Sequence, residues 1–393
     1  MDTALSTLAV HAARADHGLG HAPPIDLSST WRLPDPEGAT ASLDAMAEGA
    51  GPIGNPVYAR LHNPTVAGFE RALAVLEGAE ASVAFGSGMA AITALILATV
   101  PAGREVLAVR PVYGGTDHLL ESGLLGRRVR WVQPGEVAEA VAPETALVMV
   151  ETPANPTVEL VDVESVVEAA GDVPVAVDAT FATPMRLRPL ALGARSSVHS
   201  ATKFIGGHGD VVAGVVSCSD TDARPLRQVR VVTGGILHPL GGYLLHRGLQ
   251  TLPVRIDRAE ASATLLAARL AAHPGVRRVL HPSQPGCDPQ RLVGRQLSGP
   301  GAILAFDVGD IRAARDVMSR LGLITSAVSL GSVDTLIQHP ASLTHRVVTE
   351  EGRAQGGVTP GLLRLSVGLE DPEDLWADLA RGLAVLAAPV AAK

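Results

Sequence analysis

The chain has 393 residues, 47% of them hydrophobic and only 3% aromatic, so it can bury a large core filled mainly by Ala, Val and Leu. A net charge of -8, with no dense Lys/Arg block, argues against a nucleic-acid binder, which needs a clustered positive surface. The two cysteines, Cys218 and Cys287, lie far apart and form no metal-type pair, which points to a reducing compartment and to no metal site.

The N-terminal MDTALSTLAVHAARADHG lacks a long apolar stretch after a basic start and does not read as a signal peptide. Residues 1–60 are rich in Pro, Gly and Ser, as in HAPPIDLSSTWRLPDPEG, with little helical period past residue 15. They read as an arm that packs on a neighbouring subunit, since such a stretch cannot form its own core. Residues 61–245 alternate strand and helix. A helix over 66–76 stops at Gly78, and VAFGSGMAAITALILATV reads as strand, Gly-rich turn and buried helix. The apolar run at 90–100 is too short to cross a bilayer, so a soluble, cytoplasmic protein without membrane contact is expected. The runs EVLAV, RVRWV, ALVMV, VPVAV, SSVHS and VVAGVVS follow, mostly apolar throughout, as in a mainly parallel sheet covered on both faces. From 246 to 393 the texture changes. A helix over 257–272 precedes the strands GAILAFDV, TSAVSLG and LLRLSVG, with helices near 311–321 and 372–386, giving a smaller C-terminal α/β domain.

In doubly wound sheets, ligands sit beyond the carboxyl ends of the strands. Glu151, Asp178 and the group Ser200, Thr202 and Lys203 fall there. A strand-end lysine with hydroxyls before it and glycines after it suits Schiff-base chemistry, although alone it also reads as a surface lysine. Asp178 ends an apolar strand and could be a helix cap or the partner of a buried cation. Gly86-Ser87-Gly88-Met89 opens a helix and could present free N–H groups to a phosphate, with Ser200 and Thr202 beside them, or be only a tight turn. Tyr113 follows EVLAV and could stack on a flat ligand or half-fill the core. Tyr58 and Arg60, two apart on an extended segment, face one side as an anion clamp or as a packed ring with a salt bridge. Arg364 is a lone charge in an apolar strand and needs a carboxylate, from a substrate or from an internal acid. Asn155 and Ser329 complete the polar set.

Taken in order, YARLHNPT, FGSGMAA, YGGT, ETPANPT, VDATFATP, HSATKFIGGHGD, SLGSVDTLIQHPA and RLSVGLED resemble the Cys/Met-metabolism family of pyridoxal-phosphate (PLP) enzymes over nearly the whole chain. The resemblance implies the type I PLP fold, which is aspartate aminotransferase-like, and a homotetramer of two catalytic dimers. It implies pyridoxal 5'-phosphate linked to Lys203, with Asp178 on its ring nitrogen and Tyr113 stacked on the ring. Gly88, Met89, Ser200 and Thr202 would hold the phosphate, joined by Tyr58 and Arg60 of a partner. Arg364, Ser329 and Asn155 would meet the substrate, with Arg364 on its α-carboxylate. The implied activity is γ-elimination from a sulfur-containing L-amino acid, of the methionine or cystathionine type, giving 2-oxobutanoate, ammonia and a thiol. The alternatives are γ-replacement, as in cystathionine γ-synthase or O-acylhomoserine sulfhydrylase, and, more remotely, a PLP-binding protein without catalysis. Gly115 stands where methionine-devoted members usually carry cysteine, which counts against a methionine specialist. Asp334 stands where the family commonly has glutamate, a position tied to substrate choice.

Overall fold

The computed structural model describes residues 3–14 and 18–387. Its centre is a seven-stranded sheet of β1 (Ala81–Phe85), β2 (Glu105–Val109), β3 (Arg128–Val132), β4 (Thr145–Glu151), β5 (Val175–Asp178), β6 (Ser196–His199) and β7 (Gly214–Cys218). The strand order is β1-β7-β6-β5-β4-β2-β3. All neighbours are parallel except β7, which runs antiparallel to both β1 and β6. The strands are apolar throughout because both faces are covered. Val106, Ala108, Leu147 and Met149 face one apolar cluster, which includes Ile92 and Leu95 of the helix Gly88–Thr99. The intervening Leu107, Val109, Val148 and Val150 face another, closed by Val163 and Val166 of the helix Val163–Ala170.

The helix Pro64–Glu77 starts on an Asn63 cap, whose side chain accepts the N–H groups of Thr65 and Val66, and stops where Gly78 turns left-handed at φ 67°. The stretch read as an irregular arm contains a helix, Pro36–Ala47. Asp35 caps it by accepting the Glu37 N–H, and Pro36 sits in its first turn, where a missing N–H costs nothing. The flanking Pro/Gly run masked that start signal. The helix Leu5–His11 packs on the long helix Pro239–Ala271 of its own chain, burying Ala9 to 3% exposure.

That 33-residue helix runs straight through residue 245, where the sequence texture changes. Beyond it lies a five-stranded sheet of β8 (Arg278–Leu280), β9 (Ile303–Asp307), β10 (Thr325–Ser326), β11 (Leu336–Gln338) and β12 (Leu362–Ser366), in the order β10-β11-β12-β9-β8. Only β10 and β11 pair in parallel. The expected strand through TSAVSLG is just two residues long, because Ser329 takes φ 81° and turns the chain inward. No helix among the described residues is long and apolar enough to cross a membrane.

Candidate active site

The carboxyl ends of β4, β5 and β6 open into a cavity of about 320 Å³ between the two sheets. Lys203, Asp178, Tyr113, Gly88, Met89, Ser200, Thr202, Asn155, Ser329 and Arg364 all line it, so residues spread over 277 positions of sequence meet at one place.

Lys203 sits in the turn after β6, and its Nζ donates to Ser329 Oγ at 2.7 Å. Burial, and then the charge of Arg364, bring this ammonium down to about 8, within reach of the free amine at neutral pH. Asp178 ends β5, one strand away. Its Oδ1 accepts from Thr180 N at 3.0 Å and Thr180 Oγ1 at 2.5 Å. No described residue bonds Oδ2. Burial raises this carboxyl above the usual range, although the Thr180 bonds oppose the shift, so a cation brought to Oδ2 would hold it ionised.

Phosphate-type donors lie at the start of the helix Gly88–Thr99. The Ser87 hydroxyl occupies the Ala90 N–H at 3.0 Å, leaving those of Gly88 and Met89, which have no intrahelical acceptor. Glycine at 88 lets the turn approach Ser200 closely, since a Cβ there would lie 3.0 Å from the Ser200 side chain and would require it to shift. Thr202 is more committed than expected: its hydroxyl donates to Ala213 O at 3.1 Å and accepts from Ala213 N at 2.9 Å. An aldehyde-reactive amine, a carboxylate with one bare oxygen, an aromatic ring and an anion-binding helix start around one cavity fit pyridoxal phosphate. Lys203, Asp178, Tyr113, Gly88, Met89 and Ser200 are the residues that would hold it.

On the opposite wall Arg364 is 2% exposed, and no Asp or Glu among the described residues forms a salt bridge with it. Its Nη1 donates to Asn155 Oδ1 at 2.9 Å and its Nη2 to Ser329 O at 2.7 Å. Burial brings the guanidinium down to about 10, leaving it charged at neutral pH. Ser329 therefore serves both sides: its left-handed backbone directs the carbonyl to Arg364 while its hydroxyl takes Lys203.

The profile of the family described as Cys/Met metabolism PLP-dependent enzymes matches residues 6–384. This chain belongs to that family. An L-methionine gamma-lyase of Streptomyces avermitilis is 55% identical over 382 residues, covering 96% of this chain and 88% of that protein. Among solved structures, a cystathionine gamma lyase of Micromonospora echinospora is 38% identical at TM-score 0.87, covering 98% of this chain and all of that one. A cystathionine gamma synthase of Xanthomonas oryzae is 34% identical at TM-score 0.89, covering 98% and 99%.

As a member of the Cys/Met-metabolism family, the chain is a PLP-dependent enzyme with the expected fold. Two of the expected cofactor residues do not reach their own cavity. Tyr58 is 45% exposed, and Arg60 bonds Val231 O at 2.8 Å with its guanidinium 5.6 Å from the Tyr58 ring centroid. Gly115 counted against methionine, yet relatives matching over 92% or more of the chain carry the methionine name. Asp334 is exposed and outside the cavity lining.

Sequence reading gave Glu151 no role. In the structure its Oε2 accepts Tyr113 N at 2.6 Å and its Oε1 accepts Asn155 N at 2.8 Å, so one buried carboxylate spaces the ring residue from the Arg364 partner. Burial and the facing Asp178 raise it well above the usual carboxylate range. Its place after ALVMV was the available signal. Thr180, Phe181 and Thr344 also line the cavity, and no spacing marked them.

Proposed function

We propose that this PLP enzyme carries out γ-elimination on L-methionine, giving methanethiol, 2-oxobutanoate and ammonia. The observation that carries the reading is the makeup of the cavity wall. Among the described residues its only charged side chains are Glu151, Asp178, Lys203 and Arg364, and the rest includes Met89, Ile92, Phe181, Val212, Val328 and Leu330. A thioether with a methyl end suits such a wall, whereas cystathionine would bring a second ammonium and carboxylate that need partners. The name of the 55%-identical relative agrees.

Bound pyridoxal phosphate supplies an aldehyde for the substrate amine and a protonated ring that draws electrons from the adjoining carbons. The chain's residues do the rest. Arg364 binds the α-carboxylate and fixes which Cα bond faces the ring. The Lys203 amine would take the Cα proton, hand it on toward the adjoining cofactor carbon and, free again, take a Cβ proton, a task suited to a base whose pKa is lowered by burial. The Tyr113 phenol gives a proton to the departing sulfur. Asp178, through Oδ2, keeps the proton on the ring nitrogen.

We further propose a cytoplasmic homotetramer of two catalytic dimers, in which Tyr58 and Arg60 of one subunit complete the phosphate site of the next. Within one chain, among the described residues, that site offers mainly the neutral donors of Gly88, Met89, Ser200 and Thr202, and a phosphate dianion calls for a cation. Product analysis tests the substrate reading. Methionine, cystathionine, homocysteine and an O-acylhomoserine are offered separately, each with and without cysteine. Methanethiol and 2-oxobutanoate should form fastest from methionine, whatever the cysteine level. Efficient capture of an O-acylhomoserine by cysteine, with poor turnover of methionine, would make the enzyme a γ-replacement catalyst instead.

A further inference from the structure

Behind Arg364 the structure places a closed circuit of five side chains. Gln338 on β11 lies directly across the ladder from Arg364 on β12. With its amide oriented to satisfy the facing donors, the Gln338 oxygen accepts from Arg364 Nη1 at 3.0 Å, Arg364 Nη2 at 2.9 Å and Thr344 Oγ1 at 3.1 Å. Thr344 Oγ1 lies 3.1 Å from His345 Nδ1, and His345 Nε2 lies 3.2 Å from Asn155 O. Asn155 Oδ1 returns to Arg364 Nη1 at 2.9 Å. The circuit joins the segment after β11, the loop after β4 and the middle of β12.

His345 is the member that ties the two sheets' loops together. It is 3% exposed, and besides Asn155 O the backbone of Val112, the residue before Tyr113, lies beside its imidazole. Its own backbone is pressed against Gly114, where a Cβ would fall 2.2 Å from Thr344 O and 3.3 Å from His345 Cα. Burial, reinforced by the Arg364 charge, brings the imidazole down to about 4, so at neutral pH it has one N–H, which serves Asn155 O, and one acceptor nitrogen, which faces Thr344. The Thr344 hydroxyl has a single proton to share between that nitrogen and the Gln338 oxygen. With Asn155 Oδ1, Ser329 O and the Gln338 oxygen occupying the Nη hydrogens, Arg364 Nε is the guanidinium nitrogen to which no described residue bonds.

We propose that His345 is a positioning residue for substrate recognition: by holding Asn155 through its main chain, it closes the circuit that fixes the Arg364 guanidinium and leaves the Nε edge for the α-carboxylate of the amino-acid substrate. This rests on the reading of Arg364 as the carboxylate site, and the test separates the two. The readout is the dissociation constant from the change in bound-cofactor absorbance. The probes are L-norleucine, which matches methionine in shape but has no leaving group, and L-norleucinamide, which lacks the carboxylate.

In the wild type, norleucine binds tighter than the amide. Arg364→Ala should abolish that preference. His345→Ala removes one hydrogen bond to Asn155 O and should weaken norleucine about tenfold, with little change for the amide. His345→Gln, whose amide can restore the N–H at that position, should recover most of the preference. Thr344→Val, nearly unchanged in volume, should weaken norleucine selectively as well, and it serves if His345→Ala fails to bind cofactor. If Arg364→Ala abolishes the preference while His345→Ala and Thr344→Val keep it, the inference is overturned and the Arg364 reading stands. Equal weakening of both probes in the His345 and Thr344 variants also overturns it, since that is the mark of a general packing defect. A preference that survives in Arg364→Ala overturns both.

Discussion

Replacing Glu151 by Gln is the perturbation that most directly tests how the site is held. The carboxylate uses both oxygens, one on Tyr113 N and one on Asn155 N. Gln offers one oxygen and turns an NH2 toward the other N–H, so one buried backbone donor loses its acceptor. An unsatisfied buried donor costs about 1–3 kcal/mol. Unfolding entropy scaled to this length amounts to about 0.8 kcal/mol per degree, so the midpoint should fall by about 1–4 °C in calorimetry. Either Tyr113 or Asn155 then moves, and kcat should drop about ten- to a hundredfold, as small displacements of reacting groups commonly cost.

The pH dependence adds a second check. Glu151 has a folded-state pKa raised above its unfolded value, so its contribution to stability is full below the unfolded pKa. It is lost as pH rises through the raised folded value. Calorimetry from the ordinary carboxylate range upward should therefore show the wild type losing stability relative to Glu151→Gln as pH rises. Equal midpoints at every pH together with an unchanged kcat would refute the bridging role of Glu151.

Lys203→Ala should fold like the wild type, yet lack the visible absorbance of the linked cofactor and nearly all turnover, as spectra and steady-state rates would show. Asp178→Asn should lower kcat on the order of a hundredfold or more, because Asn cannot keep a proton on the ring nitrogen; an unchanged rate would mean another group supports it. Arg60→Ala and Lys203→Ala, each inactive alone, should regain part of the activity when mixed and allowed to exchange subunits, because some sites then contain both wild-type residues. No recovery despite exchange shown by mass spectrometry would place Arg60 and Lys203 in the same chain's site.

The alternating elements, the two-sided sheet and most cavity residues were legible in the sequence for a local reason. Asp178, Lys203 and Gly88 each lie at the end of an apolar strand or the start of a Gly-rich turn, and a strand's direction dictates where its end lies. Asp178 and Lys203 follow β5 and β6, so knowing those strands nearly places the residues. Arg364 was conspicuous because a single charge in LLRLSVG has no local partner. The Pro36–Ala47 helix was less legible, since its Asp35 cap lies within a Pro/Gly run that reads as irregular chain.

What the sequence by itself determined was therefore the set of groups and the chemistry they suit. Only the tertiary structure decided their mutual support. Glu151, Ser329 and His345 act through contacts between segments as far as 190 positions apart in the case of His345 and Asn155. No periodicity or spacing encodes such contacts, because they arise when two sheets pack. It was likewise the packing that left Arg364 without an acidic partner and sent its charge into the cavity, since a guanidinium buried among carbonyl and amide oxygens has its counter-ion still to come.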